Sequence, residues 1–299
     1  MVSPFVQVVP VGYSPAAPAA LVIMSSVAPT VSVALCTWQG ERYVAAQLRS
    51  IGAQSILPAQ VVVADDASTD GTWAVLGHEA AALRARGIEV VLFQQPQNVG
   101  YVRNFESALS QCRGGIVFLC DQDDLWRGNK IATFLDAFDA RPDVQLLHSD
   151  AQLVDGNGVP LGETLFQALA IDSRDIEREH RGEGFEVLMG RNIVTGAVTA
   201  LRRDLIAEAL PVADGWIHDE WLALVAAVGG GAQFGDVVHG RCGEGVMQGD
   251  VALFFLVPLE HREVGDPQRC PAVGDQAEVL AGLQAQRAHE VGDLVVATG

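Results

Sequence analysis

Between Ile116 and Trp126 the chain reads Ile-Val-Phe-Leu-Cys-Asp-Gln-Asp-Asp-Leu-Trp. A run of mostly apolar residues after Gly114 and Gly115 predicts a buried strand, and it ends abruptly in the carboxylates Asp121, Asp123 and Asp124. Carboxylates crowded this closely repel one another unless a positive charge sits among them. The chemistry such a group suits is a divalent cation, Mg2+ or Mn2+, held by one or two carboxylates while substrate phosphates supply the remaining oxygens. A solvated acidic turn would use the same residues, so the rest of the chain has to decide.

Elements that could position these acids alternate along the sequence from Thr30. Thr30 to Cys36 is β-rich, and Glu41 to Ile51 carries Tyr43, Val44, Leu48 and Ile51 at helical spacing. Gln60 to Ala64 predicts a second strand, ending in Asp65 and Asp66, and a helix over Thr72 to Ala85 is closed by Gly87. Ile88 to Phe93 predicts a third strand, Gln97 to Gly100 a turn, and a helix follows to near Cys112, ahead of the strand Gly115 to Cys120. Four strands joined by three helices within about ninety residues predict βαβ units and a parallel sheet. Ligands of such sheets bind beyond the carboxyl ends of the strands. Three of those ends carry polar clusters, Thr37 to Glu41, Asp65 to Asp70 and Asp121 to Asp124, which should therefore converge. Farther on, Val144 to Asp150 and Asn192 to Leu201 predict further strands, and Asp155 to Gly158 a turn. The highly charged stretch Ile171 to Glu183 reads as a surface segment or a mobile loop over the site. His218-Asp-Glu-Trp221 opens a helix, where the dipole favours a carboxylate.

Composition limits the class. The 299 residues are 49% hydrophobic and 19% charged, enough for a sizeable core in one large or two smaller domains. A net charge of −18 argues against a nucleic-acid or anionic-lipid surface. The five cysteines, with no Cys-x-x-Cys pair, signal neither a zinc site nor a disulfide framework, so a reduced cytoplasmic setting is expected. Residues 1–29 hold five prolines and no lysine or arginine, unlike a signal peptide or a membrane span. They read as a disordered extension, or as an upstream start with Met24 the true first residue.

Five segments carry a family resemblance: Val31 to Gly40, Val62 to Thr72, Asn98-Val-Gly-Tyr-Val-Arg-Asn-Phe105, Phe118 to Trp126, and His218-Asp-Glu-Trp-Leu-Ala-Leu224. In this order and spacing, residues 30–228 resemble a family 2 inverting glycosyltransferase, most like the bacterial rhamnosyltransferase-type members that build surface polysaccharide. The resemblance implies an α/β GT-A fold, a mostly parallel central sheet flanked by helices. It implies transfer from a nucleotide-sugar donor, dTDP-rhamnose or a UDP-hexose, to a saccharide or lipid-linked acceptor, with a divalent metal as cofactor. Lipid-linked acceptors would place it at the inner face of the cell membrane, in peripheral association, although no span or basic amphipathic anchor is visible.

Carried over residue by residue, the resemblance gives Thr37 and Glu41 to the nucleotide pocket, where capping would explain Glu41 equally well. Asp66 would hold the base or ribose with Asp65 in support, and Asn98, Arg103 and Asn104 would pack under the nucleotide, Arg103 offering donors to a phosphate. Asp121 would reach the ribose or the metal and Asp123 the metal, with Asp124 left open as a direct ligand. Gly196 would let the backbone approach a bound sugar. Asp219 would be the general base, with Glu220 second. Trp126 and Lys130 continue the family pattern, and that Lys130 is the only lysine reads as a product of an arginine-rich composition.

The resemblance stops near Gly229. Residues 229–299 are glycine-rich and acidic, and read as a divergent region foreign to the fold or as the product of a shifted reading frame. If that region abolishes transfer, the alternative is a non-catalytic protein that binds sugar nucleotides. A dinucleotide oxidoreductase is disfavoured, since no Gly-x-Gly-x-x-Gly follows the first strand.

Overall fold

The computed structural model describes residues 30–155, 158–181, 183–228 and 253–256. The N-terminal extension 1–29, and all of 229–299 except 253–256, lie outside the described residues. In chain order the elements are β1 (Val31–Thr37), α1 (Val44–Gly52), β2 (Gln60–Asp65), α2 (Thr72–Ala85), β3 (Glu89–Gln94), α3 (Tyr101–Ser110), β4 (Ile116–Cys120) and α4 (Lys130–Ala140). They continue as β5 (Leu146–Ser149), β6 (Gln152–Val154), β7 (Pro160–Thr164), α5 (Leu165–Ala168), α6 (Ser173–His180) and α7 (Gly184–Gly190). A 3-10 turn, Gly196–Val198, then leads into β8 (Thr199–Arg202), α8 (Arg203–Ala209), α9 (His218–Val228) and β9 (Leu253–Leu256).

The main sheet runs β3-β2-β1-β4-β8-β5-β9, beside a separate β6-β7 hairpin. Parallel ladders join β3, β2, β1 and β4. β8 is antiparallel to both β4 and β5, so β5 points the same way as the first four strands and only β8 and β9 oppose them. The sheet is therefore mostly parallel. Every residue of β1, β2 and β4 is buried, which their near-continuous apolar runs require of strands covered on both faces. Strand alternation splits the core in two. Val33, Leu35, Val63 and Phe118 pack against α1, α2 and α4, while Ala34, Val62, Ala64 and Leu119 pack against α3 and α9. No helix among the described residues is long and apolar enough to cross a membrane.

Two segments differ from the sequence reading. Of Asn192 to Leu201 only the end is strand, because the main chain at Gly196 is drawn into a turn by the Asp219 carboxylate. Within Ile171 to Glu183, whose described residues are mostly exposed or half-buried, Ser173–His180 is helical where a loop was the other reading: it forms α6, whose Asp172 side chain caps the first turn, and Glu179 buries itself beside His148 of β5, 3.9 Å away. β9, from the region that the sequence reading sets apart, pairs with β5 at the sheet edge.

Candidate functional site

Parallel register puts Thr37 beside Asp65, and Leu35 beside Cys120, so the chain leaves β1, β2 and β4 at one rim. Together with the start of α3 these ends enclose a cleft of about 450 Å³. Thr37, Asp66, Asn98, Asn104, Asp121 and Asp123 line it, so six of the residues singled out in the sequence meet in one place. Trp38, Tyr101 and Gln122 line it too.

Each wall has a local cause. The Asp66 carboxylate accepts from the N–H groups of Val99 (2.7 Å) and Gly100 (2.9 Å), fixing the turn ahead of α3. Gly100 adopts φ +82°, which a side chain would resist. Asp65 is fully buried and accepts from the Thr37 hydroxyl (2.7 Å), the Ser68 N–H and hydroxyl, and Gln94 Nε2. It holds the rim in place and does not line the cleft. Asn104 donates from Nδ2 to the Ala64 carbonyl at 2.8 Å, tying α3 to β2. Gln39 and Ala67 hold positive φ angles of 51° and 58° in the loops that leave β1 and β2, backbone strain of the kind stored at functional sites.

Besides Asp65, the predicted residues Glu41, Arg103, Asp219 and Glu220 are not among those that line the cleft. Glu41 turns away to accept from the Gly71 N–H at 3.0 Å, serving the start of α2, which had no other acid in its first turn. Arg103 forks onto Glu106 (2.7 Å) and Asp214 (2.9 Å), bracing α3 against the segment before α9, and its guanidinium is thereby committed to carboxylates of the protein.

Asp219 accepts from the Gly196 N–H through Oδ2 (2.8 Å) and from the Glu220 N–H through Oδ1 (2.8 Å). Glu220 itself is buried. The start of α9 backs onto the cleft, since the His218 ring stacks on cleft-lining Phe105 with centroids 3.8 Å apart. Gly196 serves these side chains, because a Cβ there would stand 3.2 Å from His218 Nε2 and 3.5 Å from Asp219 Oδ2.

The acids load one another. Burial first, then the carboxylates of Asp124, Asp123 and Asp219, push Asp121 up to about 7. Burial pushes Asp124 up to about 6, against the pull of Lys130, whose own ammonium is brought down to about 8 by burial. Hard oxygens under such mutual repulsion fit a divalent cation, with Asp121 and Asp123 the residues that would hold it. Among the described residues no group of three or more His, Cys, Asp or Glu side chains is arranged to hold a metal, so such an ion would need oxygens from its substrate.

Three contributors escaped the sequence reading. Gln122, between the two acids, accepts from the Trp38 N–H (2.9 Å) and donates to the Trp38 carbonyl (3.1 Å). Gly40 permits this, because a Cβ there would lie 2.2 Å from Gln122 Oε1. Lys130, which the sequence reading set aside, donates to the Ala197 carbonyl at 2.7 Å from above the Trp126 ring. All three lie in or next to the segments that carry the family resemblance, but the sequence reading gave none of them a role.

The chain is similar to several known proteins. The uncharacterised protein Rv1520 of Mycobacterium tuberculosis is 28% identical over 194 residues, covering 62% of this chain and 52% of that protein. The uncharacterised glycosyltransferase alr2836 of Nostoc is 27% identical over 129 residues, covering 42% of this chain and 38% of its own length. The chain thus spans about half the length of the first of these curated relatives, or less. Among solved structures, residues 1–349 of TarS from S. aureus with UDP superpose with a TM-score of 0.45 at 20% identity, covering 66% of this chain and 54% of that one. The mannosyltransferase PcManGT from Pyrobaculum calidifontis, solved with GDP-Man and Mn2+, gives 0.47 at 21% identity, with 64% and 50% covered. At these scores neither adds to what the sequence family carries. The family model "Glycosyl transferase family 2" matches residues 32–208, more than half of the chain, and it is to this family that the chain belongs.

Proposed function

We propose that the chain transfers a sugar, with inversion, from a nucleotide-diphosphate donor to an acceptor hydroxyl. The observation that carries this is the meeting of Asp66, Asp121 and Asp123 in one cleft while Asp219, from a separate helix, sets its charge against Asp121. In this reading Asp66 and Thr37 line the nucleoside side, and Asp121 and Asp123 hold a divalent ion. That ion, when bound, offsets the charge developing on the leaving diphosphate. Asp219 accepts the proton of the acceptor hydroxyl as that oxygen bonds to the anomeric carbon, and the bond from that carbon to the diphosphate oxygen breaks on the opposite face. Held by two main-chain N–H groups, the Asp219 carboxylate keeps a fixed aim while each oxygen retains a free lone pair. The donor we propose is dTDP-rhamnose or a UDP-hexose, and the acceptor a saccharide or its lipid-linked form.

Calorimetry with UDP and with dTDP, each with and without Mn2+, tests the donor side. Asp219→Asn should keep donor affinity and lower transfer by about 10²–10⁴-fold. Absence of nucleotide binding in the wild type would overturn the proposal, and binding without any turnover would favour the non-catalytic alternative.

A further inference from the structure

The turn Gly196–Val198 is gripped from both sides. Its Gly196 N–H is held by Asp219, and the carbonyl of the following residue, Ala197, accepts from Lys130 at 2.7 Å. Lys130 opens α4, directly after the acidic loop, and lies with its ammonium 4.2 Å from the centre of the Trp126 ring. Its charge bears on both Asp124 and Asp121. Asp124 has a buried oxygen, Oδ2, that no hydrogen bond reaches, and the ammonium, with a main-chain hydrogen bond at Asp121, favours the charge of this carboxylate. No other lysine exists in the chain.

From this we infer that Lys130 is a positioning residue: it joins the acidic loop, through the two residues Gly196 and Ala197 of the 196–198 turn, to the carboxylate of Asp219. The two halves of the proposed reaction, the donor diphosphate at Asp121 and Asp123 and the acceptor proton at Asp219, come from elements about a hundred residues apart. Strand pairing between β4 and β8 sets their coarse separation. The Lys130 bond sets the fine one, because it is a polar contact that spans from the acid loop to the turn beside the base. The ammonium also repels any cation that enters, so it trades metal affinity for alignment. The inference rests on the donor-site reading above.

The test compares Lys130→Met, which keeps the unbranched stem over Trp126 but removes charge and donor, with Lys130→Arg, which keeps the charge. Wild-type calorimetry with Mn2+ and UDP comes first, and its failure removes the donor-site reading and this inference together. With wild-type binding established, Lys130→Met should bind Mn2+ more tightly, by about fivefold, as expected when a like charge is withdrawn from a divalent site. Its kcat should nevertheless fall about tenfold or more, with the donor KM within about threefold, since alignment is lost and binding is not. Lys130→Arg should return Mn2+ affinity to the wild-type value. A residue that merely supports the fold would weaken Mn2+ binding in Lys130→Met or leave it unchanged, and either result overturns the inference, as does an unchanged kcat. Should Lys130→Met fail to fold, wild-type protein labelled with [15N]lysine gives one side-chain Nζ signal. That signal should broaden on adding Mn2+ and shift in Asp219→Asn, and a signal indifferent to both refutes the link.

Discussion

Gly40→Ala makes the sharpest test of how the acid loop is held. A Cβ at position 40 would sit 2.2 Å from Gln122 Oε1 and 2.7 Å from its Cδ, closer than contact allows. The amide must swing away, because it is the end of a flexible side chain while Gly40 is fixed by its own N–H bond to Thr72 Oγ1 at 2.8 Å. Swinging away breaks both bonds between Gln122 and the Trp38 main chain. At about 0.5–1.5 kcal/mol each, and toward the lower end because the pair is exposed, the loss is about 1–2 kcal/mol. A gain of about 0.4–1 kcal/mol from the stiffer unfolded chain offsets part of it. Global stability should therefore change by less than about 1 kcal/mol, a melting shift within about 4 °C. The local effect is larger, since Gln122 sits between Asp121 and Asp123 and Trp38 lines the same cleft. Affinity for UDP with Mn2+ should fall about fivefold to thirtyfold, the whole local loss at RT-scaled conversion. Isothermal calorimetry on wild type, Gly40→Ala, Gln122→Ala and the double variant reads it. In the Gln122→Ala background the alanine at 40 has nothing to displace, so the effects must be non-additive. Full affinity in Gly40→Ala, or additive losses, would refute the reasoning.

Other outcomes follow from single contacts. Asp65→Ala deprives the buried Thr37 hydroxyl, the half-buried Ser68 and the exposed Gln94 of their acceptor and should cost about 1–3 kcal/mol in urea unfolding. Gly196→Ala presses on His218 Nε2 and Asp219 Oδ2, so transfer should drop about tenfold with stability within about 1 kcal/mol, measured by initial rates and melting. Burial holds His148 down to about 3, so the native state refuses a proton that the unfolded chain takes below about pH 6.5. Stability must then decline as pH falls from about 6.5 toward 3, by up to about 1.4 kcal/mol per pH unit, and His148→Phe should flatten that slope in urea titrations. Buried Glu179 is pushed the other way, above the usual carboxylate range, first by burial and then by Asp175. Its native state keeps a proton, so its contribution is present below about pH 4.5 and lost as pH rises, and Glu179→Gln should raise the melting temperature at pH 8 by a few degrees.

The cleft at the strand ends was legible because buried parallel strands leave a strong signal. Ser32 apart, the residues of β1 up to Cys36 are apolar, and those of β2 and β4 nearly so, and each run stops where polar side chains begin. Such a stop marks a strand end, and parallel strands must bring their ends to one rim, which is why Thr37, Asp66 and Asp121 could be placed together without a structure. What the sequence could not separate was a ligand from a cap, since both jobs use the same residue types at the same helix starts. Glu41 and Asp65 went to the support of neighbouring loops, and Arg103 to ion pairs on its own helix and on the segment near Asp214. The charged stretch around α6 misled for a related reason: polarity suggested a loop, but Asp172 spends its charge on capping and Glu179 is turned inward.

The contacts of Lys130 and Gln122 were beyond sequence reasoning on one shared ground. Both act on the main chain of a distant segment, Lys130 on Ala197 and Gln122 on Trp38, and a carbonyl or N–H has no signature in the identity of its residue. A side chain that grips backbone can be inferred only from the space its partner leaves for it. Gly40 is such a vacancy for Gln122, and Gly196 is one for the His218–Asp219 pair. The rule this yields is testable within the chain. Glycines whose missing Cβ would strike a side chain from another element, as at 40 and 196, should be intolerant of alanine in transfer assays. Gly77, within α2 and with nothing within 4 Å of the added carbon, should accept alanine and gain about 0.5–1 kcal/mol in helix stability.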